Sequence, residues 1–259
     1  MKRRAFLRGA AGLGALTACS VCNTMIARAA GKGAHWGYEG KEGPEQWGSL
    51  SKDYAACSAG REQSPIDLDS QVPAVLSDLS IEWGATSVNV VNNGHTIQAN
   101  TDPGSRVVVG GKAYKLAQFH FHHPSEHAVA GKRHPMEAHF VHVADDGALA
   151  VLGVFMDGGA TDGPVVDTIE AVWKVAPKTK GEAKGKGKIV PAHLLPSDRA
   201  IYRYAGSLTT PPCSEVVSWT VFATPIAVQQ AQIDTFAKLF PMNARPLQAI
   251  NRRFLLGNF

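Results

Sequence analysis

Short apolar runs, separated by Gly, Pro, Asn and Asp, occupy most of this 259-residue chain. Within them apolar and polar residues alternate, which is the period of a half-buried β-strand, and NNG, GGK and DDG are turn signals. Helical periodicity occurs only at 164–175 and 226–240. The pattern predicts a single mainly β (α+β) domain with short helices. The strand-like runs are SVNVVNNGHTIQA (87–99), SRVVVGGKAYKLAQFHFH (105–122), MEAHFVHVADDGALAVLGVFM (136–156) and EVVSWTVFATPIAV (215–228).

Residues 1–30 have the features of an export signal. MKRRAFLRG is basic, the apolar AAGLGALTA is too short to span a bilayer, RRAFL resembles the twin-arginine motif, and ARA at 27–29 is a cleavage site of the A-x-A type. We therefore expect a mature domain over residues 31–259 and a periplasmic or secreted location. An alternative remains open, because LTAC at 16–19 resembles a lipobox, which would leave Cys19 acylated and the protein anchored to a membrane.

The leader also accounts for the basic charge of the chain. It contains five basic residues and no acid, and without it the chain has 21 basic and 22 acidic residues. The mature chain thus has no charge bias toward nucleic acid. The one basic segment, KVAPKTKGEAKGKGK at 174–188, is expected to be a solvated surface loop, with a polyanion-binding patch as the alternative.

Two of the four cysteines, Cys19 and Cys22, lie in the leader, so the mature chain retains Cys57 and Cys213. An exported chain with two cysteines is expected to form one disulfide. Two buried free thiols are the alternative.

Four of the ten histidines lie in QFHFHHPSEH at 118–127. Side chains alternate across a strand, so Gln118, His120 and His122 face one side while the phenylalanines between them face the core. In MEAHFVHV, Glu137, His139 and Val141 likewise share a face. Sixteen residues lie between His122 and His139, which is enough for a turn and an antiparallel return. His139 can therefore complete a site of three histidines.

Three neutral imidazoles with one open position are the ligand set of a catalytic zinc site. A cupin-like site is a second interpretation, because HFHHPSE also fits H-x-H-x-x-x-E, in which Glu126 would be a ligand for iron, manganese or nickel. The remaining histidines of the domain's central part are interpreted as structural: His123, His127, His134, His142 and His193.

The chain from His35 onward resembles the α-class carbonic anhydrases in their exported bacterial form. The motifs that carry the resemblance occur in family order: HWGYEG (35–40), QSPIDL (63–68), NNGH (92–95), QFHFHHPSEH (118–127), EAHFVH (137–142), LAVLG (149–153), YAGSLTTPPCSE (204–215) and NARPLQAINRR (243–253). The resemblance implies a large, twisted, mostly antiparallel sheet with a conical zinc-binding active site. It favours the zinc interpretation over the cupin one.

The resemblance also implies a role for each matching residue. His120, His122 and His139 match the zinc ligands, and Gln118 and Glu137 match residues that hydrogen-bond those imidazoles. Thr209 and Glu126 match a pair that orients the attacking hydroxide, and His95 matches the proton shuttle. The residues that match the substrate pocket are Val141, Val151, Leu208, Thr210, Val217 and Trp219, and those that match the family's disulfide are Cys57 and Cys213.

The implied reaction is the reversible hydration of carbon dioxide to bicarbonate and a proton. Zinc lowers the pKa of its bound water to about 7, for which carbonic anhydrases are the standard example, and the hydroxide attacks carbon dioxide in the apolar pocket. The partners expected are these small molecules and no nucleic acid, with membrane contact only through a lipidated Cys19; a homodimer is left open. Gln98 departs from many animal relatives, which have Asn there. A catalytically silent binding module is disfavoured, because all three ligand histidines are present.

Overall fold

Fourteen β-strands dominate the part of the chain that this computed structural model describes, residues 33–76 and 79–259. The leader, with its signal, cleavage-site and lipobox predictions, lies outside the described residues. The strands are β1 Val72–Pro73, β2 Leu79–Glu82, β3 Thr86–Asn92, β4 Ile97–Asn100, β5 Arg106–Val109, β6 Lys112–His122, β7 Ala128–Val129, β8 Lys132–Arg133, β9 Met136–Val143, β10 Leu149–Gly158, β11 Gly181–Ile189, β12 Ile201–Gly206, β13 Val217–Val228 and β14 Leu256–Gly257.

Twelve of these strands form one sheet in the order β1-β14-β12-β13-β10-β9-β6-β4-β3-β11, with β5 joining β2 to β6. Only β1–β14 and β10–β13 pair in parallel, so the sheet is mostly antiparallel, as predicted. β7 and β8 form a separate two-stranded hairpin. The two histidine strands, β6 and β9, are neighbours near the middle of the sheet.

The helices are short, as expected. The α-helices are α1 Trp47–Leu50, α2 Ala56–Ala59, α3 Pro164–Val175 and α4 Gln230–Leu239, and the 3₁₀ helices are Gly40–Glu42, Lys52–Tyr54 and Pro191–Leu194. Within the described residues, no helix has both the length and the apolar character needed to cross a bilayer.

The main core lies between the sheet and the helices α3 and α4. Phe121 of β6 contacts Trp173 of α3 at 4.8 Å and Phe236 of α4 at 6.2 Å between ring centroids. Phe119 is fully buried beside it. The phenylalanines of β6 therefore anchor the strand as predicted, and its histidines face the opposite side of the sheet.

Two local predictions need correction. Both a strand-like run and a helical period covered residues 226–228. They belong to the strand β13, because buried Ile226 and Val228 alternate and pair with Met156 and Gly158 of β10. The segment 174–188 is not all loop. Residues 181–189 form the edge strand β11, which pairs with β3, and its inward positions are filled by Ala183 and Gly185, too small to give an apolar signal.

Candidate metal centre

Three imidazoles converge on the face of the sheet opposite the phenylalanine core. His120 lies directly across from His139 in the β6–β9 register, and His122 is the next residue on the same face of β6. One ring nitrogen from each of the three lies within 4.8 Å of the other two. His122 and His139 are buried, and His120 is partly exposed. The three predicted metal ligands are thus brought together.

Each imidazole uses its other nitrogen for a hydrogen bond that fixes the ring. His120 Nδ1 is 2.9 Å from Gln118 Oε1, His139 Nε2 is 2.9 Å from Glu137 Oε1, and His122 Nδ1 is 2.8 Å from the main-chain oxygen of Asn243. When these nitrogens carry the protons, Nε2 of His120, Nε2 of His122 and Nδ1 of His139 remain as free donors for a metal.

The residues present fit a divalent cation. His122 Nε2 is buried without a hydrogen-bond partner among the described residues, which is costly unless something binds it. Burial, together with the neighbouring histidines, holds the pKa of His120 well below its usual range, and burial lowers the pKa of His122. Both rings are therefore neutral at pH 7, the form that can bind a metal.

Glu137 is the most heavily hydrogen-bonded group beside the site. Its Oε2 accepts from the backbone N–H groups of Glu126 and His127, both at 2.9 Å, and its Oε1 accepts from the rings of His127 at 2.8 Å and His139. Burial raises its pKa, but the charges and hydrogen bonds of the two histidines outweigh this and hold it well below the usual range. The carboxylate therefore stays ionised and orients His139.

His127, Glu137 and His139 are also close enough to hold a metal. Here, however, the facing atoms are already hydrogen-bonded to one another, and His127 Nε2 lies 2.7 Å from Tyr204 Oη. Tyr204 in turn donates to Ser64 Oγ at 2.9 Å. This group is a buried hydrogen-bond chain behind the ligand rather than a second metal site.

Glu126 lies beside the three donors without a bond to Thr209. Its Oε1 accepts from the backbone N–H of Arg245 at 2.9 Å, and its Oε2 has no partner among the described residues. That oxygen is 3.5 Å from His122 Nε2 and 3.8 Å from His139 Nδ1. The hydrogen bond from Thr209 that the resemblance implies is not formed in this structure, because the carboxylate faces the imidazoles. The role of the pair stays a prediction.

Sequence reasoning gave no role to Arg245, a fully buried cation. Its guanidinium donates to Gln63 Oε1 at 2.9 Å and to the carbonyls of Ser64 at 2.7 Å and Cys57 at 2.9 Å. Burial lowers its pKa to about 10, so it remains charged at neutral pH. Arg245 thereby connects the Glu126 backbone contact to the segment that carries Cys57.

The predicted disulfide is present: Cys57 and Cys213 are bonded, which excludes two free thiols. Cys213 N donates to the carbonyl of Thr210 at 2.9 Å, and Gln63 Nε2 donates to the carbonyl of Cys213 at 3.0 Å. The disulfide and these two hydrogen bonds therefore brace the loop that carries Thr209 and Thr210.

An apolar surface adjoins the imidazoles. Across β9, β10 and β13, Val151 lies opposite both Val141 and Trp219, and Val217 lies opposite Leu149. The predicted wall residues belong to one hydrophobic cluster, with Leu208 partly buried against it. Thr210 is also partly buried. The predicted wall residues thus lie together beside the imidazoles.

His95 lies outside the three-histidine group, at the end of the NNG turn. Asn93 Oδ1 accepts from the backbone N–H groups of His95 at 2.9 Å and Thr96 at 3.0 Å, and Gly94 has a φ of +90° that favours glycine. The His95 ring stacks on Trp36 with centroids 3.7 Å apart. Burial, followed by the charges of His35 and Lys180, lowers its pKa to about 4.

Gln98 and the five histidines interpreted as structural form hydrogen bonds with other residues of the protein. Gln98 lies opposite His120 in the β4–β6 register and donates to Asn100 Oδ1 at 2.6 Å. The five histidines interpreted as structural all accept or donate hydrogen bonds within the protein; two are buried (His127, His142), two are partly exposed (His123, His134) and one is exposed (His193).

Comparison with known proteins identifies the family. The model of the eukaryotic-type carbonic anhydrases matches residues 42–258. The chain is 44% identical over 247 residues to the carbonic anhydrase of Nostoc sp. (strain PCC 7120), a match covering 93% of this chain and 91% of that protein. It is 41% identical over 237 residues to the carbonic anhydrase of Neisseria gonorrhoeae, covering 91% and 92%.

A solved structure gives the same answer. The α-carbonic anhydrase of Thermovibrio ammonificans, in complex with the inhibitor sulfanilamide, matches with a TM-score of 0.83 and 46% identity over 86% of this chain and 99% of that one. Sequence, fold and the three-histidine centre therefore agree, and the cupin interpretation is excluded. The chain belongs to the α-type carbonic anhydrase family and is an enzyme of that family.

Proposed function

We propose that this enzyme catalyses the reversible hydration of carbon dioxide to bicarbonate and a proton, with one zinc ion held by His120, His122 and His139. The observation that supports this most is the set of three converging imidazoles, each fixed through its second nitrogen, next to an apolar wall. Three neutral nitrogen ligands leave the full charge of a divalent cation available to act on a bound molecule.

When bound, zinc acts as a Lewis acid that lowers the pKa of a water to about 7, as in carbonic anhydrase generally, and so provides a nucleophile at neutral pH. The protein's own groups must do the rest. Gln118, Glu137 and the Asn243 carbonyl hold the imidazoles in place. The wall of Val141, Val151, Leu208, Val217 and Trp219 receives the uncharged, linear substrate, and Thr210 provides a polar contact beside it.

Thr209 and Glu126 are proposed to orient the attacking oxygen. Glu126 is held from one side by Arg245, and its second oxygen is available to accept a hydroxyl proton. A Thr209 hydroxyl that donates to this oxygen can only accept from its other neighbour, so it would fix the direction of the nucleophile's lone pair.

His95 is proposed to carry the proton to solvent. While it is stacked on Trp36, burial keeps its pKa near 4, too low to hold a proton well at neutral pH. Movement of the ring away from Trp36 into water would return the pKa toward about 6.5. The proposed shuttle therefore alternates between a stacked, neutral position and a solvated position in which it is protonated.

We further propose that residues 1–30 direct export and are removed, leaving a catalytic domain that begins near Ala30 or Gly31 in the periplasm. Mass spectrometry of the mature N-terminus tests this. A lipid-modified Cys19 at the N-terminus would replace the soluble periplasmic form with a membrane-anchored one.

The metal and the reaction are tested together with His120→Ala and its matched control His193→Ala. We expect His120→Ala to lose stoichiometric zinc and nearly all carbon dioxide hydration, and His193→Ala, at an exposed position, to keep both. Elemental analysis and stopped-flow hydration assays are the measurements. Loss of zinc in Glu126→Gln, with the metal retained in His120→Ala, would mean that a carboxylate rather than His120 holds the ion.

A further inference from the structure

A row of lysines occupies one outer edge of the large sheet. β11 is the last strand of the sheet and pairs only with β3 among the described strands. Its exposed positions include Lys184, Lys186 and Lys188, and Lys178 and Lys180 are exposed in the segment just before it. We call these five residues the lysine edge.

The charge of the lysine edge is not neutralised locally. Among the described residues, none of the five lysines forms an ion pair; Lys174, just outside the edge, is paired with Glu170 at 3.3 Å. Asp102 is near Lys188, but its Oδ2 already accepts from the backbone and hydroxyl of Ser87, both at 2.8 Å. Glu182 is the only acid within residues 178–188.

The segregation of charge is pronounced. Residues 178–188 carry five lysines and one glutamate, whereas the whole chain from residue 31 onward has 21 basic and 22 acidic residues. The rest of the mature chain is therefore net acidic. A uniform requirement for solubility would spread the lysines, so their concentration on one edge needs a local reason.

Protection of an exposed strand edge does not account for all five lysines. Edge strands commonly avoid pairing with other chains through a bulge or through charged side chains on the strand itself, lysine above all. β11 already has a bulge, because Lys184 pairs with Asn89 while Lys188 pairs with Ser87, and Gly187 has a φ of +79°. The bulge places Lys186 on an irregular, exposed part of the strand, and Lys178 and Lys180 precede β11, where they protect no strand edge.

We propose that the lysine edge docks this protein onto an anionic phospholipid surface. The charges are complementary, and the lysines lie along an outer edge of the sheet, which suits a broad surface. Residues 178–188 include no exposed large apolar side chain that could insert into lipid, so the attraction is electrostatic and falls with salt. A lysine near such a surface strengthens binding by about fivefold.

Co-sedimentation of the zinc-loaded mature protein with vesicles tests this proposal. The vesicles contain either equal parts of phosphatidylglycerol and phosphatidylcholine or phosphatidylcholine alone, at about 50 mM and about 500 mM salt. We expect binding only to the anionic vesicles at low salt. The triple variant K184Q/K186Q/K188Q should weaken it roughly a hundredfold. The matched control K41Q/K52Q/K132Q, which removes three exposed lysines elsewhere, should bind like the wild type.

Carbon dioxide hydration, measured on every variant, reports proper folding separately from docking. Equal weakening by both triple variants would overturn the proposal, because the effect would then follow net charge rather than position. Binding that persists at high salt would also overturn it. Retention on immobilised heparin without any binding to anionic vesicles would assign the edge to a soluble polyanion instead.

Discussion

The candidate metal centre and the turn that carries His95 are held by different kinds of contact. At the centre every ligand imidazole has a second, directional hydrogen bond to Gln118, Glu137 or the Asn243 carbonyl. At the turn, by contrast, the His95 ring stacks on Trp36. Among the described residues, only the backbone of His95 forms hydrogen bonds. Directional bonds fix a ring, whereas a stacked ring can leave. We therefore expect the three imidazoles to be rigidly held and the His95 ring to be the more mobile group.

Removing the central acceptor should have the largest effect. Glu137→Ala leaves two backbone N–H groups and two imidazoles without their buried acceptor. We expect the free energy of unfolding of the metal-free protein to fall by about 3–5 kcal/mol, measured by urea titration. Glu39→Ala, at an exposed position, is the control. Should Glu137→Ala not fold, Glu137→Gln, which keeps the shape, should give a smaller loss in the same direction; unchanged stability in both would contradict a rigid centre.

Placing a methyl group against the Glu137 carboxylate from the neighbouring strand should lower the free energy of unfolding by a smaller amount. A Cβ at Gly153 would lie 2.8 Å from Glu137 Oε1 and 3.3 Å from a methyl group of Val221. We expect Gly153→Ala to lower the free energy of unfolding by about 1–3 kcal/mol and to weaken zinc binding by roughly 10- to 100-fold. Gly84→Ala, where a Cβ meets nothing within 4 Å, should change neither. Equal effects of the two variants would show that Glu137 tolerates displacement.

His95→Ala should lower turnover and leave the three-histidine site intact. In the proposed mechanism proton release follows carbon dioxide conversion, so we expect kcat in dilute buffer to fall by roughly 10- to 100-fold while kcat/KM and zinc content stay near wild type. Added imidazole should restore much of the lost kcat. His193→Ala, which removes an exposed histidine that is not a cause of the His95 pKa, serves as the control. A parallel fall in kcat and kcat/KM without rescue would show that His95 shapes the site.

The smallest expected effect concerns the charge next to that histidine. Lys180 lies beside the turn, with its Cδ 3.8 Å from a Cβ built at Gly94, and its charge lowers the pKa of His95. Lys180→Gln should therefore raise that pKa by a few tenths of a unit, measured by an NMR titration of the His95 ring, and Lys184→Gln should raise it less. No difference between the two variants would contradict a local effect of Lys180.

The low pKa of His95 also sets how the stability of the protein changes with pH. The folded-state pKa of His95, about 4, lies below the unfolded value of about 6.5, so the folded protein favours the neutral ring. This contribution to stability is fully present above about pH 6.5 and is lost as the pH falls toward 4. Lys180→Gln should reduce the loss slightly.

Alternation along two strands was enough to predict the three ligand histidines and Glu137. It placed His120 and His122 on one face of β6, and Glu137 and His139 on one face of β9. The register of β6 and β9 confirms that these residues lie on the same side of the sheet. It could not predict the Asn243 carbonyl or the Arg245 amide, because a backbone group has no signature in the sequence and both come from a segment without regular structure more than one hundred residues away. The edge strand β11 was missed for a different reason: small residues on its inward face hide the alternation.

The contacts of Asn243 and Arg245 also determine when the site can form during synthesis. A nascent chain that has emerged only as far as residue 240 already contains all three ligand histidines and Glu126. It still lacks the carbonyl that orients His122, the amide that holds Glu126 and the guanidinium that binds the segment around Cys57. We therefore expect a fully ordered metal site only after nearly the whole polypeptide has left the ribosome.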